Sequence, residues 1–234
     1  MAAKKPRAGT LAIDVGGTGI KAMVLDTKGK PSCERVRVKT PRPAKPPKIV
    51  GAIVALAKRM PPYERVSVGF PGVVVDGVIR TAPNLDGNWA DVDLAGDLRK
   101  ALKRPVRVAN DADVQGLGVV EGKGIEMVIT LGTGVGSALF LDGKLIPNFE
   151  LGHHPFKGRR TYEDYLGKEA FERLGRRRWS RRVRSVVEMI FPIWNCRKLY
   201  LGGGNAQEIR VKLPGNVEIV ENVEGILGGI RLWD

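Results

Sequence analysis

A chain of 234 residues with 43% hydrophobic content is long enough for one large domain or two small α/β lobes with real cores. Its formal net charge of +14 implies attraction to polyanions such as nucleic acid, an anionic membrane surface or a phosphate polymer, and says nothing about fold. Two cysteines, Cys33 and Cys196, far apart and outside any C-x-x-C pattern, argue against a disulfide scaffold and a cysteine-rich zinc site.

The first ten residues, MAAKKPRAGT, are charged and run into only three apolar residues before Asp14, which is not the pattern of a signal peptide. No apolar run along the chain approaches membrane-spanning length, so a cytoplasmic protein is expected. Residues 11–26, LAIDVGGTGIKAMVLD, place three glycines and a threonine between two apolar runs, with Asp14 just before the turn. The spacing fits neither a Walker-type phosphate loop nor a dinucleotide fingerprint opening a helix. The residues after the turn read as a second strand, so the unit is a β-hairpin with a glycine-rich tip. Backbone N–H groups at such a tip can form an anion-binding nest, because no Cβ blocks close approach. An ordinary tight hairpin is the alternative.

PRPAKPPK (41–48) reads as an extended connector, and IVGAIVALAKRM after it as a helix ended by Pro61-Pro62. RVSVGF (65–70) and PVRVAN (105–110) read as buried strands, and the order of elements suggests a mixed α/β lobe. TAPNLDGNW (81–89) is a polar loop whose Asn84 suits hydroxyl recognition. VANDADV places Asn110, Asp111 and Asp113 directly after a strand, where a carboxylate can serve as general base or an Asn can cap the next helix.

Sliding the chain by 116 residues lays GGTGIKAMVLD (16–26) on GTGVGSALFLD (132–142). Two such hairpins suggest two related lobes facing one cleft, with both tips on a phosphate chain. ELGHHP offers Glu150, His153 and His154 in one loop, although two lone histidines are more often structural than metal ligands. In RLGRRRWSRRVR (173–184) seven of twelve residues are arginine. Apolar residues at 179, 183, 186, 187 and 190 mark one face of a helix there, with Arg177, Arg181 and Arg184 near its edge and Arg178 and Arg182 beside them. With Lys157, Arg159 and Arg160 they form a candidate track for a phosphate polymer; a solvated basic face is the plainer reading. YLGGGNA (200–206) follows a short strand, at the usual place of a ligand in an open α/β sheet. No Ser-His-Asp or Cys-His set has sensible spacing for covalent catalysis.

DVGGTGIK, GFPGVV, TAPNLDGNW, NDAD, LGTGVGSA, ELGHHP and LGGGNA occur in the order seen in ROK-type sugar kinases. From about residue 10 onward the chain resembles that family, and within it most the polyphosphate-dependent glucokinases. The resemblance implies two ribonuclease-H-like lobes of the actin/hexokinase-like ATPase fold with a central cleft. The N-terminal lobe is expected over 10–115, with a C-terminal helix at about 221–234 packing back on it, and the second lobe over 116–220. It further implies Asp111 as catalytic base, with Asn84, Asn110, Glu150 and His153 around the sugar. Asp14 is implied near Mg²⁺, and Gly16, Gly17, Thr18 and Lys21 near the donor phosphates. Gly132, Thr133, Gly134 and Gly136 become a second phosphate clamp, and Gly202, Gly203, Gly204 and Asn205 border an adenosine pocket.

Two departures stand out. Where many relatives carry a cysteine-rich zinc motif ending in a sugar-binding glutamate, this chain has KGRRTYEDYLG, so no zinc site is expected and Glu163 is the best match for the glutamate. Only nine residues precede the first strand, so the helix-turn-helix of the family's repressors is not expected. The implied substrates are glucose or mannose with polyphosphate or ATP, in a homodimer without specific nucleic acid or membrane partners. A non-catalytic sugar sensor and a charge-driven nucleic-acid binder are the rival readings; intact Asp111 argues against the first, and the lack of a reading-head motif against the second.

Overall fold

The computed structural model describes residues 9–221 and 224–234. The chain divides into two compact units, Met1–Gly118 with Gly225–Asp234, and Val119–Glu224. The first eight residues and residues 222 and 223, part of the expected C-terminal helix, lie outside the described residues.

In the first unit β1 (Thr10–Val15) and β2 (Gly19–Leu25) form the expected antiparallel hairpin, and β3 (Val36–Lys39) extends it. Helix α1 (Pro46–Ala57) starts inside the proline-rich stretch that reads as a connector. Pro46 and Pro47 occupy its first turn, where a missing N–H costs nothing and a fixed φ suits the helix. The extended segment is therefore shorter than composition suggests. Strand β4 (Arg65–Phe70) pairs parallel with β1. A small antiparallel sheet of β5 (Val74–Val75), β6 (Val78–Ile79) and β7 (Val92–Asp93) precedes α2 (Leu94–Leu102). Strand β8 (Val106–Asn110), parallel to β4, then leads without a gap into α3 (Asp111–Val119). The main sheet runs β3-β2-β1-β4-β8.

Alternation along each strand gives this sheet two unlike faces. Leu11, Ile13, Val15, Ile20, Ala22 and Val24 pack with Ile49, Ile53 and Leu56 of α1. On the other face Ala12, Met23 and Leu25 meet Ile226 of the C-terminal segment. That segment is not one α-helix. A short α6 (Glu224–Leu227) passes into a 3₁₀ turn over Gly228–Trp233, where two glycines lower helix propensity and let the backbone touch the sheet. Ser67 Oγ donates to the Gly229 carbonyl at 2.5 Å, and Trp233 Nε1 donates to Ser67 Oγ at 2.8 Å.

The second unit repeats the plan. Strands β9 (Ile125–Leu131), β10 (Val135–Leu141) and β11 (Lys144–Ile146) are antiparallel neighbours. A hairpin of β12 (Pro155–Lys157) and β13 (Arg160–Thr161) precedes α4 (Tyr162–Leu166) and the long α5 (Lys168–Trp194). Strand β14 (Lys198–Gly202) lies parallel to β9, and β15 (Val217–Ile219) parallel to β14. The order β11-β10-β9-β14-β15 mirrors the first sheet. The 116-residue offset carries Gly19–Leu25 onto Val135–Leu141, so the sequence repeat is a repeat of topology. Trp179, Val183, Val186, Val187 and Ile190 are all buried beneath α5, as their spacing requires.

Candidate active site

The tip of the first hairpin is Gly16-Gly17-Thr18, and its carbonyls are tied off by residues just beyond β3. Thr40 Oγ1 donates to the Gly16 carbonyl at 2.5 Å, Arg42 Nη2 to that of Gly17 at 2.9 Å, and Thr40 N to that of Thr18 at 3.4 Å. Oxygens that would repel an anion are thus occupied, which leaves N–H groups as what the tip offers a ligand. Arg42 also pairs with Asp86 at 3.1 Å, and Asp86 accepts from Ala44 N at 2.7 Å. Neither Thr40 nor Arg42 stands out in the sequence: Arg42 sits in the stretch that reads as a mere connector, and Thr40 directly precedes it.

At the end of β1, Asp14 Oδ2 lies 2.8 Å from Lys21 Nζ, its partner across the hairpin. On the other side Asp14 faces Gly69 of β4 in register. A β-carbon added at Gly69 would stand 3.4 Å from the Asp111 Cα, an ordinary contact distance, so the start of α3 lies directly over Gly69 beside Asp14. Asn110 caps that helix: its Oδ1 accepts from Ala112 N at 2.7 Å and Asp113 N at 3.3 Å, and its Nδ2 donates to Gly72 O at 3.2 Å. Asp111 therefore stands partly exposed in the first turn of the helix, while Asp113 is 2% exposed. Asn84 is exposed on a loop anchored by buried Leu85 and Trp89.

In the second unit Gly132-Thr133-Gly134 forms the matching tip, with Gly132 N donating to Gly134 O at 3.0 Å and Lys168 N to Thr133 O at 3.3 Å. Just after it, Gly136 N donates to Thr130 Oγ1 at 3.2 Å and Val135 N to Glu163 Oε2 at 3.0 Å. The loop carrying Glu150 is pinned to β10 by Ser137, whose Oγ donates to Phe149 O at 2.5 Å and accepts from Leu151 N at 2.9 Å. His153 Nε2 is 3.7 Å from Glu150 Oε2.

Burial pushes the Glu150 carboxyl above the usual carboxylate range; His153 opposes this and the Glu163 charge adds to it. The fold thus gathers Glu150, His153 and Glu163 into one group. A raised carboxyl pKa contributes stability at low pH that is lost as pH rises through the folded value. Glu150→Gln is therefore expected to raise the melting temperature at neutral pH and leave it nearly unchanged near pH 4. Thermal melts at the two pH values check this, and an equal shift at both would remove the desolvated charge as its cause.

Gly203, at φ 86°, packs its backbone on the end of β9, and Asn205 N donates to Leu131 O at 2.9 Å. Gly204 faces open space. In the segment KGRRTYEDYLG, Thr161 and Asp164 form a capping box, and Tyr162 and Tyr165 pack on Phe156 at ring distances of 4.5 and 5.0 Å. Among the described residues no group of three or more His, Cys, Asp or Glu is placed to hold a metal ion.

The arginines of the basic segment divide into two groups. Helix α5, which carries them, is kinked at Gly175. Arg176 pairs with Glu208, and Arg182 stacks on Tyr165 at 4.1 Å, so these two serve the fold. Arg177, Arg181 and Arg184 are exposed on the face opposite the apolar stripe rather than at its edge, because a 100° step per residue carries them there. Arg184 is held by Glu188 at 2.7 Å.

The model of the ROK family matches residues 10–165. The chain belongs to the ROK family. Among ROK relatives, the polyphosphate glucokinase of Mycobacterium leprae (strain TN) is 30% identical over 238 residues, 92% of this chain and 72% of that one. The inorganic polyphosphate/ATP-glucomannokinase from Arthrobacter sp. strain KM superposes with a TM-score of 0.88 at 36% identity, over 97% of this chain and 100% of that one. A ROK glucokinase from Streptomyces griseus, solved with glucose and AMPPNP, gives 0.81 at 21% identity over 96% and 99%, a likeness of fold. The two repeated sheets are those of the actin/hexokinase-like ATPase fold that ROK sugar kinases share.

Proposed function

We propose that this ROK protein is a sugar kinase that moves a phosphoryl group from polyphosphate or ATP to the 6-hydroxyl of glucose, with mannose as an alternative acceptor. The observation that carries the reading is the placement of Asp111 beside the Asp14–Lys21 pair, next to a glycine tip whose carbonyls are tied off. Asp111 accepts the hydroxyl proton as that oxygen attacks the terminal phosphoryl in line. The candidate groups for sugar hydroxyls are Asn84 and Asn110 in the first unit, and Glu150, His153 and Glu163 in the second. The amides of Gly16, Gly17 and Thr18, with Lys21, take charge developing on the phosphoryl oxygens, and Gly132, Thr133, Gly134 and Gly136 are the second unit's candidate phosphate clamp. Gly202, Gly203, Gly204 and Asn205 border the adenosine when ATP is used.

Asp14 suits Mg²⁺: it is a hard oxygen donor, only partly exposed, and that ion prefers one or two carboxylates plus phosphates. The metal would supply charge neutralisation between phosphates. Among the described residues no helix is long and apolar enough to cross a membrane. The two cysteines are unpaired, and the same reading takes the working protein as a cytoplasmic homodimer without a specific nucleic-acid partner.

A coupled assay with glucose or mannose and either donor tests the reading; absence of sugar phosphate with both donors would sink it. The exposed Arg177, Arg181 and Arg184 form the candidate polymer track. Replacing all three by glutamine is expected to raise KM for long polyphosphate several-fold and flatten its salt dependence, with KM for glucose and ATP little changed. Equal loss with both donors, or none, would return these arginines to the role of a solvated face.

A further inference from the structure

On the face of the first sheet that carries Asp14, the C-terminal segment covers Ala12, Met23 and Leu25 but not the end at the hairpin tip. There a row of in-register residues crosses the sheet. Asp111 lies over Gly69 on β4, then come Asp14 on β1, Lys21 on β2 and Arg37 on β3. Lys39, opposite Gly19, continues the row along the edge strand. Like charges directly opposite one another on neighbouring strands are destabilising, yet Lys21 faces Arg37. Asp14 answers Lys21; among the described residues no hydrogen bond or ion pair engages the exposed side chains of Arg37 and Lys39.

Gly19 adds a second observation. A β-carbon there would stand 2.5 Å from Nε of Arg37 and 2.9 Å from its Nη2, so the absent side chain is what lets this guanidinium lie against β2 beside Lys21. A guanidinium parked next to a phosphate-binding tip with no carboxylate of its own matches a phosphate in geometry and charge.

We propose that Arg37 and Lys39 form an outer subsite for the donor polymer, holding phosphates that lie beyond the one transferred. The subsite rests on the kinase reading and gives the donor a direction. The acceptor oxygen is at Asp111, the transferred group at Asp14, Lys21 and the tip, and the remaining chain leaves over the β3 edge. Adjacent strands are about 4.8 Å apart, so Arg37 stands one strand beyond Lys21, where a long polyanion continues and a nucleotide's short phosphate chain gives way to its nucleoside. The subsite distinguishes donors by length.

The test uses the whole protein and two variants. Arg37→Ala with Lys39→Ala removes both cations, whereas Gly19→Ala keeps them and only pushes the flexible guanidinium aside. With both variants KM for long-chain polyphosphate is expected to rise several-fold, while KM for ATP and glucose stays near wild type. Calorimetric binding of long-chain polyphosphate without sugar should weaken in parallel, and the double variant should show a salt slope shallower by roughly one to two units. Unchanged polyphosphate binding in the double variant overturns the subsite, as does an equal loss with ATP. A wild-type protein that transfers from neither donor fails the kinase reading itself, and that is seen before any variant is made.

Discussion

Asp111→Asn is expected to lower kcat with either donor by roughly 10²–10⁴-fold, the usual contribution of a positioned general base. The change keeps size and shape and leaves an oxygen to accept from Ala112 N, now 2.8 Å from Asp111 Oδ1, so the start of α3 is preserved. KM for the sugar and the melting temperature should therefore move little. Asp113 is the control within the same motif. Being 2% exposed, it is built into the helix, and Asp113→Asn should be read in thermal stability rather than in turnover. A larger fall in kcat at Asp113 than at Asp111 would reverse the assignment of the base.

Gly203→Ala is expected to cost about 2–4 kcal/mol, because two penalties coincide. The residue sits at φ 86°, where a side chain is strained. Its new β-carbon would also meet the backbone O and N of Leu131 at 2.5 and 2.6 Å. Backbone in a central strand cannot step aside as a side-chain end can. For a chain of this size such a loss lowers the melting temperature by on the order of 10 °C. Leu131 directly precedes the Gly132-Thr133-Gly134 tip, so donor KM should rise in whatever fraction remains folded. Gly204→Ala, with open space around it, is the matched control and should stay within about 0.5 kcal/mol of wild type. Equal stability of the two variants would mean that the Gly203 contact is not what holds this turn.

These two residues mark different depths at which the sequence can be read. The hairpins were legible because strand alternation and glycine punctuation are local signals, and the 116-residue offset repeated them closely enough to anticipate a duplicated sheet. The apolar stripe of α5 was legible for the same reason: five positions at helical spacing need no partner to be recognised. The motif order carried the family. Local signals misled where one residue type serves two ends. Pro46 and Pro47 look like connector and are a helix start. Arg182 looks like its arginine neighbours and is a lid on Tyr165.

What only the tertiary structure decided is which strands lie side by side. Strand β4 joins β1 across some fifty residues of chain, because apolar faces far apart in sequence must share one core, and no periodicity within either strand encodes that pairing. That pairing sets the seat of Asp111 over Gly69 and the row from Asp14 through Lys21 to Arg37. Packing likewise brings Thr40 and Arg42 onto the tip carbonyls and Glu150, His153 and Glu163 together. The sequence by itself determined the residue types and the local turns of this kinase; burial of a common core, which acts between distant segments, determined which of them meet.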